Sequence, residues 1–384
     1  MAKDRKAVST NPEFPRNKQR QTMSRQVRLG GPDLYYRLRS SSIAIVVLFI
    51  VAQVASISYG ALDPSRFAYN DPVNISTALN TGALLGIVSL GVGILMLTGE
   101  FDLSVGANYI FSSAVMVGLS QNEKLPIFVA AVVAILLGGA IGLLNGILTL
   151  GLHLPSFITT LGTMGIWEAA VLFYHGATPI TFTPSHAFEV VTAGSFGVIP
   201  ADFIWFVVIG LMCWWLYHHT TVGNHIAATG GNAAAALAVG VRVARVKTLA
   251  FVISGACAAT AGVLAASLLG SIQAGGAQDV PLNAIAACVV GGLALTGGTG
   301  GVAGVAVGAF FIYWIQDVLL LVGAPGFYLT GFVGALIIGA VAFHQVVQRR
   351  GSAGRRSPGQ EKAAVLVSTK DRMDKVREGS GSDG

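Results

Sequence analysis

The chain has 384 residues, of which 53% are hydrophobic and only 11% are charged, with a formal net charge of +6. Soluble globular domains carry about 25% charged residues, so this composition excludes an ordinary soluble protein. Runs of about 20 apolar residues recur between Ser41 and Phe343, and each is long enough to cross a bilayer as a helix. The composition therefore predicts an all-α polytopic membrane protein.

The basic residues are concentrated before Ser40, between Arg242 and Lys247, and after Gln348. Loops rich in Lys and Arg stay on the cytoplasmic side of a membrane, so both termini and the central loop are predicted to be cytoplasmic. The basic arms are expected to contact anionic membrane lipid. Nucleic acid is not an expected partner, because no folded segment alternates aromatic with basic residues.

The chain divides into a basic arm over 1–40, a transmembrane domain over 41–346 and a polar tail over 347–384, which is predicted to be disordered. About ten spans are predicted, with an even number before and after the central loop over 219–247. Their predicted bounds are Ser41–Tyr59, Ser76–Leu97, Leu103–Leu119, Leu125–Leu150, Phe157–His175, Phe203–His218, Thr248–Leu269, Asn283–Thr296, Val302–Val322 and Phe327–Phe343.

The central loop is predicted to contain a short helix. Gly230 and Gly231 interrupt the chain, Asn232 is a natural N-cap, and the alanine-rich stretch Ala233–Val239 favours a helix that Gly240 ends. A helix with so little side-chain bulk suits docking into a groove of another protein. The alternative is a surface helix that only connects two spans.

Two connections between spans resemble each other. LMLTGEFDLSVGA (95–107) and LALTGGTGGVAGVA (293–306) both pass from one span to the next through LTG. Duplicated broken helices in transporters often lie near the substrate route. Either both places hold broken helices, or so short a match arises by chance in a glycine-rich membrane protein.

Ionisable and polar groups at membrane depth are costly and usually line an aqueous path. Glu100 and Asp102 lie in a turn too short for a normal loop, although Asp102 would also suit a cap for the next span. A lone Asn in a span often only bonds to a neighbouring helix. The predicted substrate pathway consists of Glu100, Asp102, Ser104, Asn145, Glu168, Asn283, Gln316 and Asp317.

Signatures of catalysis are absent from the sequence. It contains no G-x-x-x-x-G-K-[ST] phosphate loop, no G-x-S-x-G elbow and no H-E-x-x-H helix. Its seven histidines and three cysteines have no metal-ligand or disulfide spacing. We expect a protein that is not an enzyme and holds no cofactor or metal, so any ATP must be bound by a separate subunit.

Four stretches, in order, resemble the permease subunits of ATP-binding-cassette importers for ribose, xylose and related monosaccharides. TGEFDLSVG is similar to that family's TGGIDLSVG, and GLLNG followed by LPSFITTLGTM is similar to its next signature. TTVGNHIAATGGNAAAALAVGV resembles its cytoplasmic coupling segment. LNAIAACVVGG with LTGGTGGVAG resembles its LDAIAAVVLGG segment and glycine hinge.

The resemblance implies a homodimer in the bacterial cytoplasmic membrane, with an ATPase subunit docked inside and a soluble sugar-binding protein docked outside. The residues implied to contact the ATPase are Gly230, Gly231, Asn232, Ala235, Leu237 and Gly240. Two alternatives remain open: a related permease for nucleosides or branched-chain amino acids, and a proton-coupled transporter that uses Glu100, Asp102 and Asp317.

The chain departs from the resembled pattern at several positions. Glu100 stands where Gly is common, Asn283 where Asp is common, Glu168 where Arg is frequent and Asp317 where Asn is usual. Ala233–Ala235 lack the acidic residues that usually follow GGN. Positions 100, 168 and 317 add negative charge along the predicted route, which bears on the identity of the solute.

Overall fold

The computed structural model describes residues 32–64, 66–176 and 178–353. These residues form thirteen α helices, one 3-10 turn (Ala68–Asn70) and four two-residue strands. The helices are α1 Pro32–Leu62, α2 Pro72–Leu97, α3 Val105–Gln121, α4 Ile127–Gly151, α5 Ser156–His175, α6 His186–Thr192, α7 Ala201–His219, α8 Thr221–Gly231, α9 Ala233–Ala238, α10 Val243–Leu269, α11 Val280–Val290, α12 Val302–Leu321 and α13 Gly326–Ala353. The strands are β1 Ile180–Thr181, β2 Ser195–Phe196, β3 Ile199–Pro200 and β4 Ser271–Ile272.

The helical class is confirmed, and six helices of the described chain are long and apolar enough to cross a membrane: α2, α4, α5, α7, α10 and α12. The other four predicted spans correspond to α1, α3, α11 and α13. Their apolar parts are shorter, such as Val46–Leu62 and Val280–Val290. The count of about ten spans and the orientation of the termini therefore stay predictions.

The predicted division into arm, transmembrane domain and tail is only partly covered by the described residues. Helix α1 begins at Pro32, inside the predicted arm, and α13 continues to Ala353, inside the predicted tail. The rest of the arm (1–31) and of the tail (354–384) lies outside the described residues.

Helices α2 and α10 form the centre of the bundle. Nearly every residue from Gly82 to Leu97 is buried, and so are most residues of α10 from Ser254 to Ser267. A span that is apolar all round packs against other helices or against membrane lipid. Accordingly, α2 packs against α7, α10, α11 and α12, while α10 also packs against α3 and α4.

Glycines bring α4 and α10 into backbone contact. A Cβ atom added at Gly142 would lie 2.2 Å from the carbonyl oxygen of Phe251, and one at Gly138 would lie 2.3 Å from the Cβ of Ala259. Gly138, Gly142 and Gly146 follow each other at four-residue spacing, so they share one face of α4. Small residues at this spacing allow membrane helices to pack closely. The contact fixes α4, which carries Asn145, against the central helix.

The connections gather at the two ends of α10. Lys247, near the beginning of α10, contacts Glu100, whereas Leu269, the last residue of α10, is separated from β4 only by Gly270. Strand β4 pairs with β1, so that Ile272 lies opposite Ile180. The two loops 176–202 and 270–281 are thus joined at the end of α10 that is far from Glu100.

The short helix predicted in the central loop is confirmed as α9. The side-chain oxygen of Asn232 accepts a hydrogen bond of 3.0 Å from the Ala235 amide, and Gly240 follows the helix with φ +89°. One detail differs from the prediction: Gly230 and Gly231 do not interrupt the chain but are the last residues of α8. The turn lies at Asn232, whose backbone is extended.

Candidate functional site

Three connections meet through their backbones near α9. The amide of Gly298 donates a hydrogen bond of 3.0 Å to the carbonyl of Leu97. A Cβ atom at Gly230 would lie 1.8 Å from the same carbonyl oxygen, and one at Gly298 would lie 2.5 Å from the amide nitrogen of Gly231. We call the residues 97–99, 230–231 and 297–298 the glycine junction. Only a residue without a Cβ atom allows such an approach at positions 230 and 298.

The two similar connections found in the sequence contact each other in this junction. Gly99 and Gly297 follow the LT of each LTG, and both have positive φ, +84° and +81°. A Cβ atom at Gly297 would lie 2.6 Å from the Gly99 amide nitrogen. Each connection also separates two helices, α2 from α3 and α11 from α12. The junction therefore joins two broken helical segments directly to α8 and, through it, to α9.

Helix α9 is exposed where it leaves the junction. Leu237 and Val239 are 64% and 81% exposed, Ala235 is exposed as well, and only Ala236 is buried. An apolar side chain as open as Leu237 is available for a partner, while Ala236 anchors the helix. The geometry thus places an accessible apolar helix next to the backbone junction.

Glu100 makes an ion pair. Its Oε1 lies 2.5 Å from the Nζ of Lys247, and the two side chains are only 14% and 17% exposed. Lys247 lies near the start of α10, and its role as the partner of Glu100 has no signal in the sequence beyond its charge. The pair ties the connection between α2 and α3 to the central helix.

Asp102, Ser104 and Asn145 were predicted separately, and the structure brings them together. The Oδ1 of Asp102 accepts hydrogen bonds from the Ser104 hydroxyl (2.6 Å) and from the Ser104 amide (2.9 Å). The side-chain amide of Asn145 donates to the Ser104 hydroxyl at 2.7 Å. All three are buried. Asp102 therefore organises the beginning of α3, and Asn145 bonds across to it from α4.

The same connection is held from α5 by residues that the sequence did not single out. The hydroxyl of Ser156 accepts a hydrogen bond of 3.1 Å from the Phe101 amide, and the hydroxyl of Thr160 accepts one of 3.1 Å from the Leu103 amide. Both belong to LPSFITTLGTM. Within the described residues, the Oδ2 of Asp102 and the Oδ1 of Asn145 are buried without a hydrogen-bond partner.

Asp317 lies at the other end of the bundle. Its Oδ2 accepts a hydrogen bond of 3.3 Å from Asn74, in the first turn of α2, whereas Glu100 follows the last turn of that helix. Nearby, the Tyr69 hydroxyl donates to Gln53. Burial, and secondly the charge of Asp317, raises the pKa of Tyr69 to about 12, so this hydroxyl stays protonated. Asp317 is therefore not brought together with Glu100 and Asp102.

Glu168 borders a small cleft. Gly106 and Ala107 at the start of α3 line it on one side, and Gly275 and Gln278 line it on the other. Gln278 was not predicted.

Two further predicted residues, Asn283 and Gln316, are half-buried, and their side chains have no hydrogen-bond partner within the described residues.

The family comparison and the comparison with single proteins both match the chain to permeases. Residues 74–341 match the family described as branched-chain amino acid transport system / permease component. The autoinducer 2 import system permease protein LsrC of Enterobacter sp. (strain 638) is 33% identical over 304 residues, which cover 79% of this chain and 84% of that protein. LsrC of Salmonella paratyphi B is 32% identical over 308 residues, covering 80% and 85%. LsrC of Escherichia coli O9:H4 is 31% identical over 299 residues, covering 78% and 84%. No solved structure matches the chain.

Proposed function

Because the chain belongs to the family of branched-chain amino acid transport system permease components, we propose that it forms the membrane path of an ATP-driven importer for a small polyhydroxylated solute. The single observation that carries this proposal is the similarity, along about four-fifths of the chain, to permeases named for autoinducer 2 import. A permease component is not an enzyme, and a multi-pass protein of this family resides in the bacterial cytoplasmic membrane. The proposal covers the identity of the solute, the partner subunits and the residues that contact either of them.

The solute is proposed to be autoinducer 2 or a monosaccharide such as ribose. The relatives' names support the first, and the resemblance to ribose and xylose permeases supports the second. The family's description favours a branched-chain amino acid as the competing solute. Uptake of labelled autoinducer 2, ribose and leucine into proteoliposomes separates the three.

Two subunits are proposed to complete the importer: an ATPase on the cytoplasmic side and a solute-binding protein outside, with the permease present as a pair of identical chains. The proposed ATPase contact is α9 with its flanking residues 230–232 and Gly240. Its support is the exposure of Leu237 and the close approach of α8 to the glycine junction. Shape and apolar contact would hold the ATPase here, since α9 has no acidic residue.

The docking proposal is tested with Leu237→Glu. A buried charge at an apolar contact is costly, so the variant should release the ATPase on co-purification and stop ATP-dependent uptake. Leu62→Glu is the matched control, because Leu62 is 83% exposed at the end of α1, far from the junction. Retention of the ATPase by the Leu237 variant would refute the docking role of α9.

The solute path is proposed to pass the cleft beside Glu168. This carboxylate lies well inside α5, a helix long enough to span the membrane, and a charge at that depth has to face water, a solute or another chain. The cleft also lies where α3 begins and where residues 275–281 approach it: a Cβ atom at Gly106 would lie 2.5 Å from the Ala277 carbonyl oxygen. Breaks between helices are typical of transporter substrate sites.

Glu168→Gln keeps the size of the side chain and removes its charge. We expect a higher KM for uptake with ATP hydrolysis retained, whereas Glu189→Gln, a change to an exposed carboxylate on α6, should leave both unchanged. An unaltered KM in Glu168→Gln removes the residue from the path. The proposed path also includes Asp102, Ser104, Asn145, Asn283 and Gln316.

The proton-coupled alternative receives no support from the positions of its three carboxylates. Glu100 is paired with Lys247, Asp102 with Ser104, and Asp317 lies at the opposite end of α2. Proteoliposomes that contain only this chain are expected to take up no solute. Uptake by the chain alone that a protonophore abolishes would contradict the ATP-driven proposal.

A further inference from the structure

The ion pair between Glu100 and Lys247 is shielded from water. Lys247 Nζ donates to Glu100 Oε1 at 2.5 Å, and more than four-fifths of each side chain is covered. Salt screens such a pair much less than a pair at the surface. Removal of one partner would leave an uncompensated charge in a covered site, which is more disruptive than loss of a surface pair.

The ion pair lies where the segments before and after α9 both approach the connection between α2 and α3. In one direction along the chain, α9 is preceded by Gly230, which packs against the carbonyl of Leu97. In the other direction it is followed by α10, which carries Lys247. Glu100 is next to Gly99 of the glycine junction. The connection between α2 and α3 is thus held to the α9 region twice, by backbone packing and by the ion pair.

The motif that TGEFDLSVG resembles has Gly at the position of Glu100, and glycine offers no carboxylate to Lys247. A backbone junction of glycines alone fixes distances but makes no directional side-chain contact. The ion pair adds that contact beside the junction.

We propose that Glu100 and Lys247 are positioning residues for the coupling of ATP hydrolysis to transport. Their ion pair makes the connection between α2 and α3 follow displacements of α9 and the start of α10. The inference rests on the proposed function. It assigns Glu100 to the transmission of movement instead of to solute contact.

The test uses the complete transporter in proteoliposomes: this chain, its ATPase subunit and the solute-binding protein. Labelled autoinducer 2 and labelled ribose are the probes, and the measured quantity is solute imported per ATP hydrolysed. Glu100→Gln and Lys247→Met should each lower this ratio about fivefold, within the range of coupling energies between contacting residues. The exchanged pair, Glu100→Lys with Lys247→Glu, should restore it to within about twofold.

The controls change the same charges elsewhere. The control variants Glu123→Lys and Lys124→Glu change residues in an exposed connection between α3 and α4. Each should leave the amount of solute imported per ATP hydrolysed unchanged. If the single variants do not fold, Glu100→Gln combined with Lys247→Met removes both charges, leaves no unpaired one, and should still lower the ratio. Wild-type ratios in the single variants or in this double variant, or no rescue by the exchanged pair, would overturn the proposed role of the ion pair in coupling.

The outcomes also separate this inference from the proposed function. ATP-dependent uptake by the wild type with unchanged ratios in the variants contradicts only the role of the ion pair. Failure of the wild type to import either probe with ATP contradicts the proposed function, and the ion pair's role in coupling falls with it.

Discussion

Gly230 packs directly against the carbonyl oxygen of Leu97, and a Cβ atom at Gly230 would lie 1.8 Å from that oxygen. This oxygen belongs to the backbone, which cannot move aside by changing rotamer as a side chain can. Through this contact the end of α8 meets the end of α2. It is the closest approach in the glycine junction, and it makes the junction sensitive to a single methyl group.

The first prediction concerns this contact. Gly230→Ala should destabilise the chain by about 1–3 kcal/mol, the usual cost of overpacking, and should lower the midpoint of thermal unfolding in detergent. Gly231→Ala is the matched control, because it adds the same methyl group one residue later in α8, with nothing within 4 Å. The control should be neutral or slightly stabilising, since alanine favours a helix. Equal midpoints for the two variants would contradict the junction.

A second prediction concerns the interface between α4 and α10. Gly142→Ala would place a Cβ atom 2.2 Å from the carbonyl oxygen of Phe251, so the helices must separate and the unfolding midpoint should fall. The neighbouring variant Gly139→Ala meets nothing closer than 3.6 Å and should be tolerated. If Gly139→Ala proved as destabilising as Gly142→Ala, the described helix contact would be wrong.

The third prediction tests the buried polar cluster. Asn145→Ala deprives the Ser104 hydroxyl of its donor, and loss of a partner in a buried hydrogen bond costs about 1–3 kcal/mol. The free energy of unfolding, measured by denaturant titration in detergent, should fall by that amount. Asn122→Ala removes an exposed amide at the end of α3 and should change it little. A stable Asn145 variant would mean that the cluster does not hold α3 to α4.

The orientation of the chain gives the fourth prediction. In a variant without the three buried cysteines Cys213, Cys257 and Cys288, new cysteines at Leu237 and Glu123 should react with a membrane-impermeant thiol reagent from opposite sides. The cysteine at 237 should react only after the cytoplasmic side is opened, because the positive charges near it stay inside. Reaction of this cysteine in intact cells would place α9 outside and refute ATPase docking.

Local sequence was sufficient to predict α9. Asn232, the alanines and Gly240 act within a few residues of one another, so capping and propensity alone define the helix. The same reasoning misjudged Gly230 and Gly231. Glycine pairs often mark a chain break. Here, however, position 230 needs glycine because it contacts the carbonyl of Leu97, which is distant in the chain, and the residues next to Gly230 do not reveal this contact.

The candidate site was only partly predictable. The sequence singled out Asp102, Ser104 and Asn145 by their polarity at membrane depth, but their hydrogen bonds depend on how α4 packs against α10. Glu100 was predicted for the pathway by the same argument, and the structure places it beside Lys247. Gln278 was missed because a glutamine in a polar connection is unremarkable until its neighbours are known.

The sequence by itself determined the helical class of the protein, the short helix α9 and the permease family, because apolar length, capping residues and short motifs are properties of neighbouring residues. Only the tertiary structure decided which connections meet, that Glu100 pairs with Lys247, and that Asp317 lies at the far end of α2 from Glu100. These relationships join residues far apart in the chain, and they are set by helix packing through glycines, where the absence of one carbon atom decides which backbones can touch.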